Sequence, residues 1–162
     1  MRILGIDPGT ATTGFGIIEE KNDEYKVINF GCIRTKAGIK LEVRLNEISN
    51  DLDELINKFK PDQAAIEEIY FSKNAKTAID VAHARGVLIQ KLNEKKIPIK
   101  SYNPMQVKLA LCSTGKAKKP QMQKMIKMLL KLNEIPSSDD AADALAIALC
   151  HGNFIRNKAL YS

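Results

Sequence analysis

Apolar residues in the first third of the chain follow the spacing of β-strands. Short apolar runs bounded by turn-forming residues predict strands over residues 2–6, 13–19 and 25–35. The first two are separated only by Asp7-Pro8-Gly9-Thr10 and a few small polar residues. Because strands joined by so short a turn pair side by side, the pattern predicts an antiparallel meander.

Helical spacing begins at residue 41. Apolar side chains recur every three or four residues over 41–59, which predicts an amphipathic helix that Pro61 terminates. Residues 63–67 and 98–102 predict two further strands. Four more helices are predicted over residues 74–95, 105–112, 121–132 and 138–154. A meander followed by alternating helices and strands predicts an α/β fold, a mixed five-stranded sheet with helices on its faces.

Length, charge and cysteine content narrow the class of protein. The 162 residues, 44% of them hydrophobic, are enough for one well-buried domain, so a single domain over 1–162 is expected. A formal net charge of +6 favours a polyanionic partner such as nucleic acid, although a solvated lysine surface would give the same charge. Cys32, Cys112 and Cys150 include no Cys-x-x-Cys pair, which argues against a disulfide framework and a zinc ribbon and fits a reducing cytoplasm. The apolar run over 144–150 is far too short to span a bilayer, so no membrane association is expected.

Four carboxylates stand where predicted elements begin or end. Asp7 and Glu67 each follow a short apolar strand, and Asp140 and Asp143 lie one turn apart on one face of an Ala-rich helix. Carboxylates at the rims of apolar elements tend to share a cleft, because a charge buried alone is costly. Mg²⁺ prefers oxygen ligands, and two such ions can activate a water and stabilise the leaving oxygen of a phosphodiester. The four residues therefore predict a divalent-metal site of a nuclease.

Each carboxylate also has an ordinary structural explanation. Ser137 followed by Asp140 matches a capping box, and acidic residues in a first helical turn complement the helix dipole without any metal. Asp7 can be a turn former before Pro8, and Glu67 an exposed residue at a strand end. Capping is the better explanation of Asp140 taken alone. Asp143 lies deeper in the helix, among alanines, where a charge needs a partner.

Several segments, in chain order, match a known family. They are Gly5-Ile-Asp-Pro-Gly-Thr10 with Thr13-Gly-Phe-Gly16, Ala65-Ile-Glu-Glu68, Lys73-Asn74, Ala84-Arg-Gly86 and Asp140-Ala-Ala-Asp-Ala-Leu-Ala146. Together they resemble the RuvC-type Holliday junction resolvases, the crossover junction endodeoxyribonucleases, over essentially the whole chain.

The resemblance implies a ribonuclease H-like fold with helices on both faces of the sheet, and a homodimer. It implies Mg²⁺-dependent resolution of four-way junction DNA by symmetric paired nicks in two strands of like polarity, during homologous recombination and DNA repair. Two Mg²⁺ ions per subunit are expected, for which Mn²⁺ can substitute. Their ligands would be Asp7, Glu67, Asp140 and Asp143, with Glu67 rather than Glu68 in the matching position. A bacterial cytoplasmic protein and a branch-migration motor complex of the RuvA–RuvB type as partner are also implied.

Basic residues are candidates for contacts with DNA. The densest basic stretch lies over residues 116–131, where helical lysines fit a solvated face equally well. By the resemblance, Lys108 and Lys119 match basic positions near the active site, where a lysine can contact the scissile phosphate and offset charge in the transition state. Lys118 is a further candidate.

Two aromatic residues follow the strand that ends at Glu67. Tyr70 and Phe71 would be ordinary core residues in most proteins, but by the resemblance Tyr70 stacks on unpaired bases at the junction centre. Such stacking contributes ~1–3 kcal/mol and requires no particular base. Tyr70→Ala is therefore expected to slow junction cleavage more than it lowers the melting temperature, and equal losses would contradict this role.

Other functions share parts of the pattern. A ribonuclease H-like nuclease for structured RNA would share Asp7 and the fold, and an actin-like ATP-binding module opens similarly but needs two such halves. A junction-binding protein without catalysis is expected only where a carboxylate ligand is lost. The C-terminal carboxylate pair and the two aromatics favour the DNA junction. A P-loop is excluded, because Ala110 stands five residues before Gly115 and Ala117 replaces the required hydroxyl.

Three further features have no assigned role in this chemistry. His83 and His151 are interpreted as structural or exposed. Arg85 is a candidate support for the active-site side or the dimer side of the helix over 74–95, and its role is left open. Two symmetric cuts need two sites, which a twofold dimer supplies, and the small-residue face of the helix over 74–95 is the candidate interface.

Overall fold

One mixed sheet organises the chain in the computed structural model, which describes residues 1–69 and 75–160. The elements are β1 (Arg2–Asp7), β2 (Thr12–Lys21), β3 (Glu24–Arg34), α1 (Leu41–Phe59), β4 (Gln63–Glu67), α2 (Ala75–Glu94), β5 (Ile99–Tyr102), α3 (Pro104–Cys112), α4 (Lys119–Leu129) and α5 (Asp139–Leu160). The strands are ordered β3-β2-β1-β4-β5. Pairing is antiparallel among β1, β2 and β3 and parallel from β1 through β4 to β5. The predicted α/β class and meander are confirmed.

Helices cover both faces of this sheet, as predicted. Successive side chains of a strand point to opposite faces, so Leu4 and Ile6 of β1 pack towards α1 and α2, whereas Ile3 packs towards α5. On the α5 side, α3 and α4 complete the layer. The two buried clusters are centred on Ile48, Leu52, Ile66, Leu88 and Leu92 on one face and on Ile18, Ala65, Leu111, Ile126, Leu145 and Leu149 on the other.

Helix α5 lies very close to the sheet, because glycines of β1 and β2 face its backbone. A Cβ atom added to Gly5 would stand 2.7 Å from the main-chain nitrogen of Ala148, and one added to Gly16 would stand 2.8 Å from that of Leu145. A Cβ on Gly14 would overlap the main-chain oxygen of Asp140. The two strands therefore accept the backbone of α5 directly, which fixes the first turns of this helix against β1 and β2.

Helices α4 and α5 differ most from their predicted bounds. Helix α4 begins at Lys119, two residues earlier than predicted, because Pro120 is well suited to a first helical turn. The helix ends at Leu129, and Lys131 beyond its end has a left-handed backbone with φ 50°. Helix α5 runs to Leu160 instead of ending at residue 154, since no proline or capping glycine interrupts it. Among the described residues, none of the helices combines the length and apolar composition that crossing a bilayer requires.

Candidate active site

Asp7 and Glu67 lie side by side at the ends of two parallel strands. Ile6 of β1 pairs with Ile66 of β4, so the next residue of each strand reaches the same edge of the sheet. Alternation turns both carboxylates away from α1 and α2 and towards α5. The two carboxyl groups lie within hydrogen-bonding distance of each other.

Helix α5 brings Asp140 and Asp143 to the same edge. Gly14 of β2 pairs with Asp7 of β1, and the backbone of Asp140 rests directly on Gly14. The close approach that the glycine permits thus places the start of α5 beside Asp7. The predicted capping box is wrong, because α5 begins at Asp139 and Ser137 is separated from it by Ser138.

The β1–β2 turn next to Asp7 is held by its own side chains. The Thr13 hydroxyl donates to the main-chain oxygen of Gly9 at 2.6 Å. From the end of the meander, the Thr35 hydroxyl donates to the oxygen of Thr10 at 2.6 Å. These bonds fix the path of the chain where it leaves the carboxylate.

The four carboxylates repel one another. Burial, followed by the charges of Glu67, Asp143 and Asp140, raises the pKa of Asp7 to about 8. Burial and then Asp143 raise the pKa of Glu67. Burial also raises the pKa of Asp143, and the Lys119 ammonium opposes that rise. Such a cluster stabilises bound cations, because any positive charge that enters relieves the repulsion.

The arrangement is an open cleft and not a closed cage. Within residues 1–69 and 75–160, no three carboxylate, imidazole or thiol groups converge closely enough to enclose one ion. Mg²⁺ is commonly held by one or two carboxylates while it keeps waters and binds substrate phosphate, so an open set of oxygen ligands suits it better than a cage. By donor chemistry and by mutual repulsion, the residues fit divalent metal.

Two lysines line the same cleft. A cavity of about 250 Å³ is bordered by Glu67 and Asp143, by Lys108 of α3 and by Lys119 at the start of α4, with an apolar wall of Pro104, Val107, Met122, Ala146 and Ile147. Of the candidate DNA contacts, Lys108 and Lys119 are therefore brought to the carboxylates. Lys118 precedes α4 and is exposed, outside the lining of this cavity. Tyr70 and Phe71 lie outside the described residues.

Two contacts at the site were not predicted from the sequence. The Lys119 ammonium lies 3.0 Å from a carboxylate oxygen of Asp139 and 3.9 Å from one of Asp143. Arg85 of α2 donates from Nε to the main-chain oxygen of Glu67 at 2.9 Å and from Nη2 to the Ser101 hydroxyl at 2.8 Å. Neither contact has a signal in residue spacing, because each joins elements that are distant in the chain.

A family model and curated relatives match this chain over nearly its whole length. A family model described as Crossover junction endodeoxyribonuclease RuvC matches residues 3–151. The protein of that name from Caldicellulosiruptor saccharolyticus is 51% identical over 152 residues, 93% of this chain and 92% of that protein. The one from Halothermothrix orenii is 48% identical over 156 residues, 96% of this chain and 94% of that protein.

A solved structure of Thermus thermophilus RuvC in complex with Holliday junction substrate superimposes with a TM-score of 0.93 at 32% identity. The superposition covers 98% of this chain and 96% of that one. It confirms the predicted ribonuclease H-like fold.

Proposed function

Since the chain belongs to the RuvC family of crossover junction endodeoxyribonucleases, we propose that it resolves four-way DNA junctions by paired, symmetric nicks in two strands of like polarity. This reaction would serve homologous recombination and DNA repair. The observation that carries the proposal is the partly buried cluster of Asp7, Glu67, Asp140 and Asp143, in which each of three neighbouring charges raises the pKa of Asp7.

We assign these four carboxylates as the catalytic metal ligands. Mg²⁺, with two ions per subunit and Mn²⁺ as a substitute, supplies the Lewis acidity that activates water and stabilises the leaving oxygen of the phosphodiester. The chain contributes rigid positions for the ligands: two adjacent strand ends and the first turns of a helix seated on glycine. Rigid placement matters because misplacement by about 1 Å costs on the order of 10²-fold in rate.

Lysines and aromatics would hold the substrate. Lys108 and Lys119 border the same cavity as Glu67 and Asp143, so a phosphate that reaches the carboxylates meets two ammonium groups. Their charge would offset the negative charge that develops during hydrolysis. Lys118 is exposed beside them and suits a contact with a more distant phosphate. Tyr70 and Phe71 remain our candidates for stacking on junction bases.

A homodimer would supply the two cuts, and we propose α2 as its interface. The exposed residues Ile79, Ala82, His83 and Gly86 follow one another at helical spacing and form a stripe of mostly small or apolar side chains. Ile79, the first residue of this stripe, is 54% exposed. Close approach of a second α2 would cover it.

The remaining parts of the proposal concern the setting of the reaction. All three cysteines are free, which fits the reducing cytoplasm of a bacterium. A branch-migration motor of the RuvA–RuvB type is the proposed partner that would deliver junctions. We treat residues 1–162 as one nuclease domain, because a single sheet joins the described parts of the chain.

A cleavage assay tests the central claim. The purified protein is incubated in Mg²⁺ with a synthetic four-way junction or with linear duplex of equal length, and Asp7→Asn is tested beside it. Symmetric nicks on the junction alone, lost in Asp7→Asn while junction binding persists, are the expected result. Binding without cleavage would refute autonomous resolvase activity, and equal activity on both substrates would refute junction selectivity.

A further inference from the structure

Arg85 of α2 joins three elements directly behind the carboxylate cluster. Its guanidinium donates to the main-chain oxygen of Glu67, the last residue of β4, at 2.9 Å and to the hydroxyl of Ser101 on β5 at 2.8 Å. The rigid, planar fork of a guanidinium can hold two such acceptors at once, which an ammonium on a flexible stem does less well. The side chain therefore fixes the end of β4 relative to β5 and α2.

The main-chain oxygen that Arg85 bonds belongs to Glu67, the last residue of β4. The next amide, that of Glu68, still pairs with Tyr102 of β5 at 2.9 Å, after which the chain leaves the sheet. Helix α2 packs mainly on α1, and through Arg85 it bonds to one acceptor on the strand that carries Glu67 and to one on β5. A carbonyl held at this point fixes the peptide plane of Glu67, and with it the direction in which its side chain leaves the backbone.

We propose that Arg85 is a positioning residue that aims the Glu67 carboxylate at Asp7, so that the two ligands meet a metal ion together. The inference rests on the proposed function of Glu67 as a metal ligand. Arg85 acts through the main chain of Glu67; it is not proposed to touch metal or DNA.

Arg2 offers a matched control at the opposite end of the sheet. Its side chain also donates to one main-chain oxygen, that of Phe59 at 2.9 Å, and to one side chain, that of Glu19 at 2.9 Å. Arg2→Met therefore also removes one bond to a main-chain oxygen and one to a side chain, here the Glu19 carboxylate, at the far end of β1 from the four carboxylates. A merely structural role predicts similar behaviour of the two variants.

The test measures metal affinity separately from catalysis. Mn²⁺ binding is titrated by calorimetry without DNA, the Mg²⁺ midpoint of junction cleavage is determined under single turnover, and junction affinity is measured in Ca²⁺. We expect Arg85→Met to weaken Mn²⁺ binding and to raise the Mg²⁺ midpoint about tenfold, with junction affinity changed less than twofold. Arg85→Lys, which keeps the charge and one donor group, should recover part of the loss. Arg2→Met should keep wild-type metal behaviour even where its melting temperature falls.

Three results would overturn the proposal. The first is wild-type Mn²⁺ affinity in folded Arg85→Met, or in Arg85→Gln should the methionine variant misfold. The second is an equal loss of Mn²⁺ affinity in Arg2→Met. The third is loss of folding in both Arg85→Met and Arg85→Gln, which would make Arg85 a general structural residue. If the wild type binds Mn²⁺ in an Arg85-dependent way yet cuts no junction, the proposed substrate fails while the role of Arg85 stands.

Discussion

Replacement of Gly14 by alanine should displace the start of α5, and it should slow cleavage far more than the accompanying loss of stability explains. The added Cβ would overlap the main-chain oxygen of Asp140 and stand 3.0 Å from its Cβ. Backbone atoms of a helix cannot rotate away as a side chain can, so the start of α5 must move. Overpacking of this kind costs about 1–3 kcal/mol, which for a chain of this size lowers the melting temperature by roughly 2–12 °C.

The effect on activity should be larger than this loss of stability explains. A domain stable by about 5–15 kcal/mol remains almost wholly folded at 25 °C after losing 1–3 kcal/mol. A shift of Asp140 and Asp143 by about 1 Å relative to Asp7, however, costs on the order of 10²-fold in rate. Gly14→Ala should therefore be folded at 25 °C and cut junctions about a hundredfold more slowly.

Gly31 in the neighbouring strand is the matched control for this experiment. A Cβ there would meet only two ring atoms of Phe15, at 3.2 Å, and a half-buried ring can shift by the few tenths of an ångström required. Gly31→Ala should stay within about 1 kcal/mol of the wild type and cut at the wild-type rate. Circular dichroism melting and single-turnover cleavage of a four-way junction measure the two effects. A wild-type rate in Gly14→Ala would refute the idea that glycine contacts set the position of the carboxylates.

Three further outcomes are expected. In EDTA at pH 8, Asp7→Asn should melt above the wild type, because the pKa of Asp7 lies at about 8 when folded against 3.8 ordinarily, so ionisation opposes folding as pH rises between these values. Mn²⁺ should stabilise only the wild type, and identical melting of both proteins in EDTA would contradict mutual repulsion. Ile79→Glu should halve the mass measured by light scattering, whereas Met128→Glu on exposed α4 should leave it unchanged; a persistent dimer in Ile79→Glu would exclude this face. Burial lowers the pKa of His151 to about 4 from 6.5, so as pH drops from 6.5 to 4 the unfolded chain binds a proton before the folded one and stability falls. The free energy of unfolding in urea should therefore decrease between pH 7 and pH 5 by roughly 1–2 kcal/mol more in the wild type than in His151→Gln.

The positions of Asp7 and Glu67 at one end of the sheet were predictable because their signals are local. Glu67 is the last of the five residues of β4, and Asp7 ends a strand whose turn residues stand beside it in the chain. Strand alternation and helical spacing then suffice to place such residues on a face and at an edge. His151 was also interpreted correctly as structural, since it is buried and bonded to Tyr102 and Gln63 at 2.8 Å each.

What could not be predicted depends on long-range geometry. The bond from Arg85 to the oxygen of Glu67 has no sequence signature, because any arginine on a half-buried helix looks the same in one sequence. The pairing of Lys119 with Asp139 depends on how the loop between α4 and α5 turns back. Helix ends such as that of α5 are decided by a few tenths of a kcal/mol per residue, which spacing alone cannot resolve.

The carboxylates and the glycines are linked by a physical requirement. Neighbouring carboxylates whose burial and charges raise the pKa of Asp7, Glu67 and Asp143 oppose folding, and carboxylates on loops would relieve that opposition by moving apart. Here Asp7 and Glu67 end paired strands, and Asp140 lies on a helix whose backbone touches Gly14. The repulsion therefore persists in the folded chain, because separating the charges would require breaking strand pairing or lifting α5 from the sheet. The rigidity that makes the cluster unfavourable without cations is the same rigidity that keeps its oxygens ready for them.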